Sequence, residues 1–191
     1  MAVGPDDLPT LHPVPGVRLA AVAAGIKTPG RKDLVLFELA QGTRCAAVFT
    51  RNAFCAAPVT LARENLQASG NAPRYLLVNT GNANAGTGEP GLVAARACVA
   101  SVARHAGIDV STVLPFSTGV IGEPLPVVPI QDAVPSALAN LAEEGWAAAA
   151  NGILTTDTRP KGHSVRFTCE GQSYVVTGIA KGAGMIRPNM A

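Results

Sequence analysis

The stretch from residue 75 to residue 116 constrains the fold more than any other part of the sequence. Tyr75-Leu76-Leu77-Val78 is a compact apolar strand, and a loop of small residues follows over 79–88. Pro90 then opens the clearest helix, which runs to about residue 106. Gly107 stops it, with Arg104 and His105 favourably placed in its last turn. Residues 110–116 read as another strand, interrupted near Pro115, and 117–122 form a glycine-bearing turn. A strand, a helix and a second strand in immediate succession require layers, because each element must bury one apolar face against another.

The flanks extend this pattern. Residues 17–24 and 34–39 read as strands. Residues 44–50 follow the turn-like Gln41-Gly42-Thr43 and are expected to pair as a hairpin. Pro58 suits the first turn of a helix reaching about residue 68, which Ser69-Gly70-Asn71 ends. Residues 129–142 are helical in composition, so Pro135 is expected near a start or a kink, and 143–150 form a further helix. A strand is expected from residue 153 to 158. Residues 164–170 and 173–179 form a hairpin across Gly171, and 181–191 are loop-like. The hairpins argue against a purely parallel sheet. The expected class is therefore α/β, an α+β layered sandwich of mixed sheets and helices, in one domain spanning residues 1–191.

Composition narrows the function classes. Hydrophobic residues make up 48% of the 191 positions and charged residues 15%, which excludes a disordered chain. Aromatics are only 4%, so the apolar surplus is mostly Ala and Val and suits close layering or a large buried interface. A net charge of +2 with no basic stripe gives no support for nucleic-acid binding. The Pro-rich residues 1–16 lack the regions of a signal peptide, and the apolar run over 19–26 is too short to span a bilayer. A cytosolic protein, not a membrane protein, is expected. Cys45, Cys55, Cys98 and Cys169 have no CxxC spacing and His12, His105 and His163 are scattered, so no metal site is expected. The cysteines read as small buried hydrophobes rather than disulfides.

Each chemical motif has a bland counterpart. Gly86-Thr87-Gly88-Glu89-Pro90-Gly91 matches GxGxxG but lies several residues past its strand. Glu89 would put a carboxylate where a pyrophosphate should sit, and Pro90 removes a donor, so a tight loop is the better reading. Gly81-Asn82-Ala83-Asn84-Ala85-Gly86 resembles a phosphate cradle without its Lys; its Asn side chains suit a helix cap or the loop backbone. Ser117-Thr118-Gly119 with Gly122 can turn sharply and aim backbone N–H groups into a cleft, as an oxyanion hole does, or be an ordinary turn. Thr155-Thr156-Asp157-Thr158 offers dense donors and acceptors, either for a small polar ligand or on an exposed edge strand. Lys181, between an apolar strand and Gly182, is placed to meet an anion, or is an ordinary surface Lys in a loop.

Lys181-Gly182-Ala183-Gly184-Met185-Ile186 with Pro188-Asn189-Met190-Ala191 resembles the self-cleavage region of the ornithine acetyltransferase family, also described as bifunctional glutamate N-acetyltransferases. The resemblance covers essentially the whole chain. Gly16 to Ile26 with Lys27, Asn79-Thr80-Gly81-Asn82-Ala83-Asn84-Ala85, Ser117-Thr118-Gly119-Val120-Ile121-Gly122, and Thr155-Thr156-Asp157-Thr158 with Pro160-Lys161 fit the family pattern in order. It implies a precursor that cuts itself between Ala191 and a Thr that begins a β chain. That Thr would be the nucleophile of a ping-pong transfer of acetyl from N2-acetylornithine to glutamate, releasing ornithine and N-acetylglutamate.

The resemblance further implies an oxyanion hole at Thr118 and Gly119, substrate binding at Thr155 and Lys181, and an α2β2 or larger assembly. No metal or tightly bound cofactor is implied, and acetyl-CoA is a co-substrate only in bifunctional members. The rival readings are a self-cleaving aminopeptidase with an N-terminal nucleophile and a non-catalytic structural or binding subunit.

Overall fold

The computed structural model describes residues 7–184 and 189–190. Its main sheet has four strands in spatial order, β1 (Val17–Val22), β2 (Leu34–Leu39), β3 (Tyr75–Asn82) and β4 (Val113–Val120). The pairs β1–β2 and β2–β3 are antiparallel, whereas β3–β4 is parallel. The helices are α1 (Ala57–Ala68), α2 (Gly88–Ala106), α3 (Val127–Ala139) and α4 (Trp146–Gly152). Strands β5 (Lys161–Cys169) and β6 (Gln172–Ala180) form a separate hairpin. The expected layered α/β class holds.

Alternation along β2 explains the layers. Leu34 and Leu36 point to one face, where they join Tyr75, Leu77 and Val113 beneath α1, α2 and α3. Val35 and Phe37 point to the other face, against Trp146 and Ala149 of α4. The rings of Phe37 and Trp146 meet edge to face at 6.2 Å. A central strand buried on both faces must read as a continuous apolar run, and Leu34-Val35-Leu36-Phe37 does.

Register is fixed by polar pairs as well as by burial. Glu38 lies opposite Arg18 and Tyr75, accepting from Arg18 Nε at 2.5 Å and from the Tyr75 hydroxyl at 2.8 Å. Burial first, and then the neighbouring Glu38, push the Tyr75 hydroxyl up to about 12. The outer edge of β1 is closed by paired bonds between Leu19 and Ala142 at 2.8 and 3.0 Å.

Several local expectations need correction. Residues 44–49 form no strand, because both edges of β2 are taken by β1 and β3; the Cys45 N–H instead donates to Asn71 O at 2.9 Å. Strand β3 runs on to Asn82, where the sequence suggested a loop from residue 79, because parallel pairing with β4 holds it extended. Pro115 does not interrupt β4. That strand is an edge strand, where a missing N–H costs no ladder bond on its open side. Residues 153–158 are turns rather than a strand, folded around the Asp157 carboxylate.

Pro135 lies in the interior of α3, which begins at Val127, earlier than expected. Of the cysteines, only Cys98 is buried, and desolvation pushes its thiol up to about 12. The β5–β6 hairpin turns through Glu170 and Gly171, both with positive φ (50° and 78°), as a two-residue hairpin loop requires.

Candidate functional site

Because β3 and β4 are parallel, their carboxyl ends open on the same edge of the sheet, where crevices in such folds take ligands. There Gly81 faces Gly119. Gly119 has φ 139°, and a Cβ on it would run into the backbone of Gly81 and Asn82. Gly81 has φ 101°, and a Cβ on it would lie 3.0 Å from Lys27 Cβ. The glycines thus allow two strand ends and the Lys27 segment to meet without side chains between them.

Buried asparagines hold these ends. Asn79 Oδ1 accepts from Ser117 Oγ at 2.5 Å, and Asn79 Nδ2 donates to Asn82 O at 2.9 Å. Asn82 Nδ2 donates to the carbonyls of Glu123 and Pro124, while its Oδ1 accepts from the Asn84 N–H at 2.7 Å. Asn84, fully buried, donates from Nδ2 to Gly91 O at 2.8 Å and accepts from Thr87 Oγ1 at 3.0 Å. A Cβ at Gly91 would collide with Thr87 and Asn84. The last glycine of the GxGxxG pattern is therefore a packing glycine, and the asparagines satisfy the loop backbone.

A cleft of about 820 Å³ opens at this edge. Thr118, Gly119, Thr155 and Lys181 all line it, as does Met190. Four positions from three separate motifs thus converge on one cavity. Thr118 and Gly119 come from the end of β4, Thr155 follows α4, and Lys181 follows β6. Asp157 ties the last two together. Its Oδ1 accepts from the Gly182 N–H at 2.8 Å and from Lys161 Nζ at 2.5 Å. Its side chain is fully covered, and that burial raises the carboxyl's pKa; the Lys161 and Gly182 bonds outweigh it and hold the group below its usual range. Lys181 itself is exposed and makes no ion pair among the described residues. Ala191 lies outside the described residues, as do Met185, Ile186, Arg187 and Pro188.

The sequence reading missed Asp33. This buried carboxylate accepts the Ala24 and Ile26 N–H groups at 2.7 Å each, and its own carbonyl accepts from the Thr80 N–H at 2.9 Å. It shapes the cleft wall on which Lys27 sits. Arg31, also on the wall, donates to the carbonyl of Leu154, next to Thr155. The available signal was a lone Asp directly before an apolar strand. Among the described residues, no group of three or more His, Cys, Asp or Glu side chains is placed to hold a metal ion. No helix among them is long and apolar enough to cross a membrane.

A family model described as the ArgJ family matches residues 18–191. The chain belongs to this family. It is 62% identical over its full length to the arginine biosynthesis bifunctional protein ArgJ of Pseudomonas syringae pv. tomato, covering 46% of that protein. Against the protein of the same name from Methylococcus capsulatus the identity is 56%, over 100% of this chain and 47% of the relative. The chain thus spans about half the length of the curated relatives it matches.

Two crystal structures of family members resemble it. The arginine biosynthesis bifunctional protein ArgJ of Bacillus halodurans superposes with a TM-score of 0.84 at 36% identity, over 93% of this chain and 92% of that one. The ornithine acetyltransferase of Mycobacterium tuberculosis, complexed with ornithine, gives 0.88 at 34% identity, over 96% of this chain and 98% of that one.

Proposed function

We propose that this chain is the N-terminal half of a self-cleaving acetyltransferase that moves acetyl from N2-acetylornithine to glutamate in arginine biosynthesis. The observation that carries the reading is the convergence of Thr118, Gly119, Thr155 and Lys181 on one cleft. The names of the relatives support it, and so does the ornithine held by the Mycobacterium tuberculosis structure. The matched chains in the solved structures are covered over 92% and 98% of their length, while curated relatives are covered over 46% and 47%. That contrast supports a precursor divided into two chains. In this reading the second chain completes the cleft in an α2β2 or larger assembly.

In this reading the precursor is cut after Ala191, and the Thr that follows becomes the nucleophile. A hydroxyl is a weak nucleophile without a base. The α-amino group released by the cut has an ordinary pKa of about 8 and suits that task. The Thr hydroxyl attacks the acetyl carbonyl of N2-acetylornithine, its proton passing to the amine of the departing ornithine. The amine of glutamate then attacks the acetyl ester, and N-acetylglutamate leaves as the hydroxyl regains its proton.

Each tetrahedral intermediate carries an oxyanion, which Thr118 and Gly119 stabilise; one such donor contributes about 3 kcal/mol. Lys181 takes the α-carboxylate of either amino acid, and Thr155 contributes a hydroxyl. The scheme uses no metal or tightly bound cofactor; in a bifunctional member acetyl-CoA would be the alternative acetyl donor. Its compartment is the cytoplasm.

The test is denaturing intact mass with N-terminal sequencing on the product of the full reading frame. It is followed by an assay with N2-acetylornithine and glutamate beside simple peptide amides. Two chains, one ending at Ala191 and the other beginning with Thr, and acetyl transfer without amidase activity are expected. An uncut product, or peptide hydrolysis alone, overturns the reading.

A further inference from the structure

Residues 49–52 lie in the irregular connection between β2 and α1, yet they are held on both sides. On one side, Arg63 of α1 donates from Nη2 to Thr50 O at 3.3 Å, and its guanidinium lies 5.2 Å from the centre of the Phe49 ring. This contact has cation–π geometry. On the other side, the Arg51 N–H donates to Asn189 O at 2.9 Å, and Arg51 Nη2 donates to Asn189 Oδ1 at 3.5 Å. Thr50 and Met190 form an isolated antiparallel bridge.

Asn189 has φ 55°, a left-handed conformation that Asn tolerates better than most residues. A line of contacts therefore runs from a helix, through Arg63 and residues 49–51, to residues 189 and 190. Met190 in turn lines the cleft with Thr118 and Gly119.

A bridge this short adds little to global stability. What it does is hold residues 189 and 190 against residues 50 and 51. We propose that Arg51 is a positioning residue for self-cleavage, holding Asn189 in its left-handed bend so that the peptide after residue 190 is delivered to the Thr118–Gly119 end of the cleft. The inference rests on the reading given above.

In the cleavage, the hydroxyl of the Thr after Ala191 attacks the Ala191 carbonyl. The peptide C–N bond breaks as the ester forms, the hydroxyl's proton passing to the nitrogen, which leaves as a free amine, and water then opens the ester. Arg51 exchanges neither proton nor electron pair. It raises the fraction of time the carbonyl spends in attack geometry, on which such intramolecular steps depend steeply. Acetyl transfer by the cleaved enzyme needs no such help, because the peptide has already been cut.

The experiment follows the full reading frame by intact mass over time, for the wild type and for Arg51→Pro, Arg51→Ala and Asn189→Gly. Arg51→Pro removes both donors, Arg51→Ala removes the guanidinium, and Asn189→Gly keeps the bend accessible while removing the Oδ1 acceptor. Cleavage slowed tenfold or more in Arg51→Pro, and several-fold in the other two, is expected. Acetyl-transfer turnover per cleaved molecule is expected to stay within twofold of wild type in all three.

Arg51→Ala and Asn189→Gly stand as the test if Arg51→Pro fails to fold. Wild-type cleavage rates in both, or a loss of turnover that parallels the loss of cleavage, overturn the role of Arg51 alone. A wild-type product that is never cut overturns the proposed function and this inference with it.

Discussion

Lys181 follows β6 directly, where the hairpin hands the chain to a glycine, and it lines the cleft with its charge uncommitted among the described residues. A charge-assisted bond from such a group to a carboxylate contributes roughly 1.5–3 kcal/mol. If Lys181 takes the substrate α-carboxylate as proposed, Lys181→Ala should lower kcat/KM for N2-acetylornithine and for glutamate by roughly 10- to 150-fold. Lys181→Met, which keeps the length without the charge, should do the same. Unchanged constants for both substrates would remove Lys181 from carboxylate binding.

The place of this residue at the cleft was legible because chemistry and context coincide in the sequence, a cation between an apolar strand and a glycine. Asp33 was not legible. A single Asp before a strand looks like an exposed turn residue, and only the folded chain brings two distant N–H groups to its carboxylate.

At the scale of elements, sequence signals succeeded where one force dominates. Strand β2 is apolar on both faces and was bounded correctly, and Gly107 at φ 66° ends α2 as expected. They failed where tertiary pairing overrides composition. Asn79-Thr80-Gly81-Asn82 has the residues of a turn, yet β4 holds it as strand, its polar side chains bonded to Ser117 and to backbone carbonyls. The threonine-rich stretch after α4 failed in the opposite sense. It looks like an edge strand but wraps around Asp157.

That wrapping should make the 155–161 and 181–182 loops pH-sensitive. The Asp157 carboxyl is depressed below its ordinary value of 3.8. Its contribution is therefore complete above that value and is lost as pH falls through the lower, folded one. Acid unfolding of the wild type should show this loss, and Asp157→Asn should be less stable at neutral pH with a flatter acid limb. Equal acid dependence in the two proteins would mean that Asp157 is not the tether.

The whole molecule poses a question of coverage. In the β5–β6 hairpin, Val165 lies opposite Val176 and Phe167 opposite Tyr174, so all four share one face. They are 46%, 61%, 47% and 43% exposed, although the two rings stack at 5.4 Å. The opposite face is held by the N-terminal segment. There Ser164 Oγ accepts from the His12 N–H at 3.0 Å, and Thr177 Oγ1 donates to His12 O at 2.7 Å.

A two-stranded hairpin is marginal in water unless something packs on it. The family's full-length members supply a second half of similar size, of which this chain is not part. The apolar face of the hairpin is predicted to bury against that half. Covering a large aliphatic or aromatic side chain stabilises by about 1.5–3 kcal/mol. Phe167→Glu with Val176→Glu, made together in the full reading frame, should then weaken the association of the halves and lower the melting temperature. The turn at Glu170-Gly171 would be left intact. The readouts are retention of both chains on a size-exclusion column at low concentration and the thermal midpoint. If the two chains of the double variant stay together and melt as the wild type does, the face is solvent-exposed in the finished molecule, and the halves must meet elsewhere.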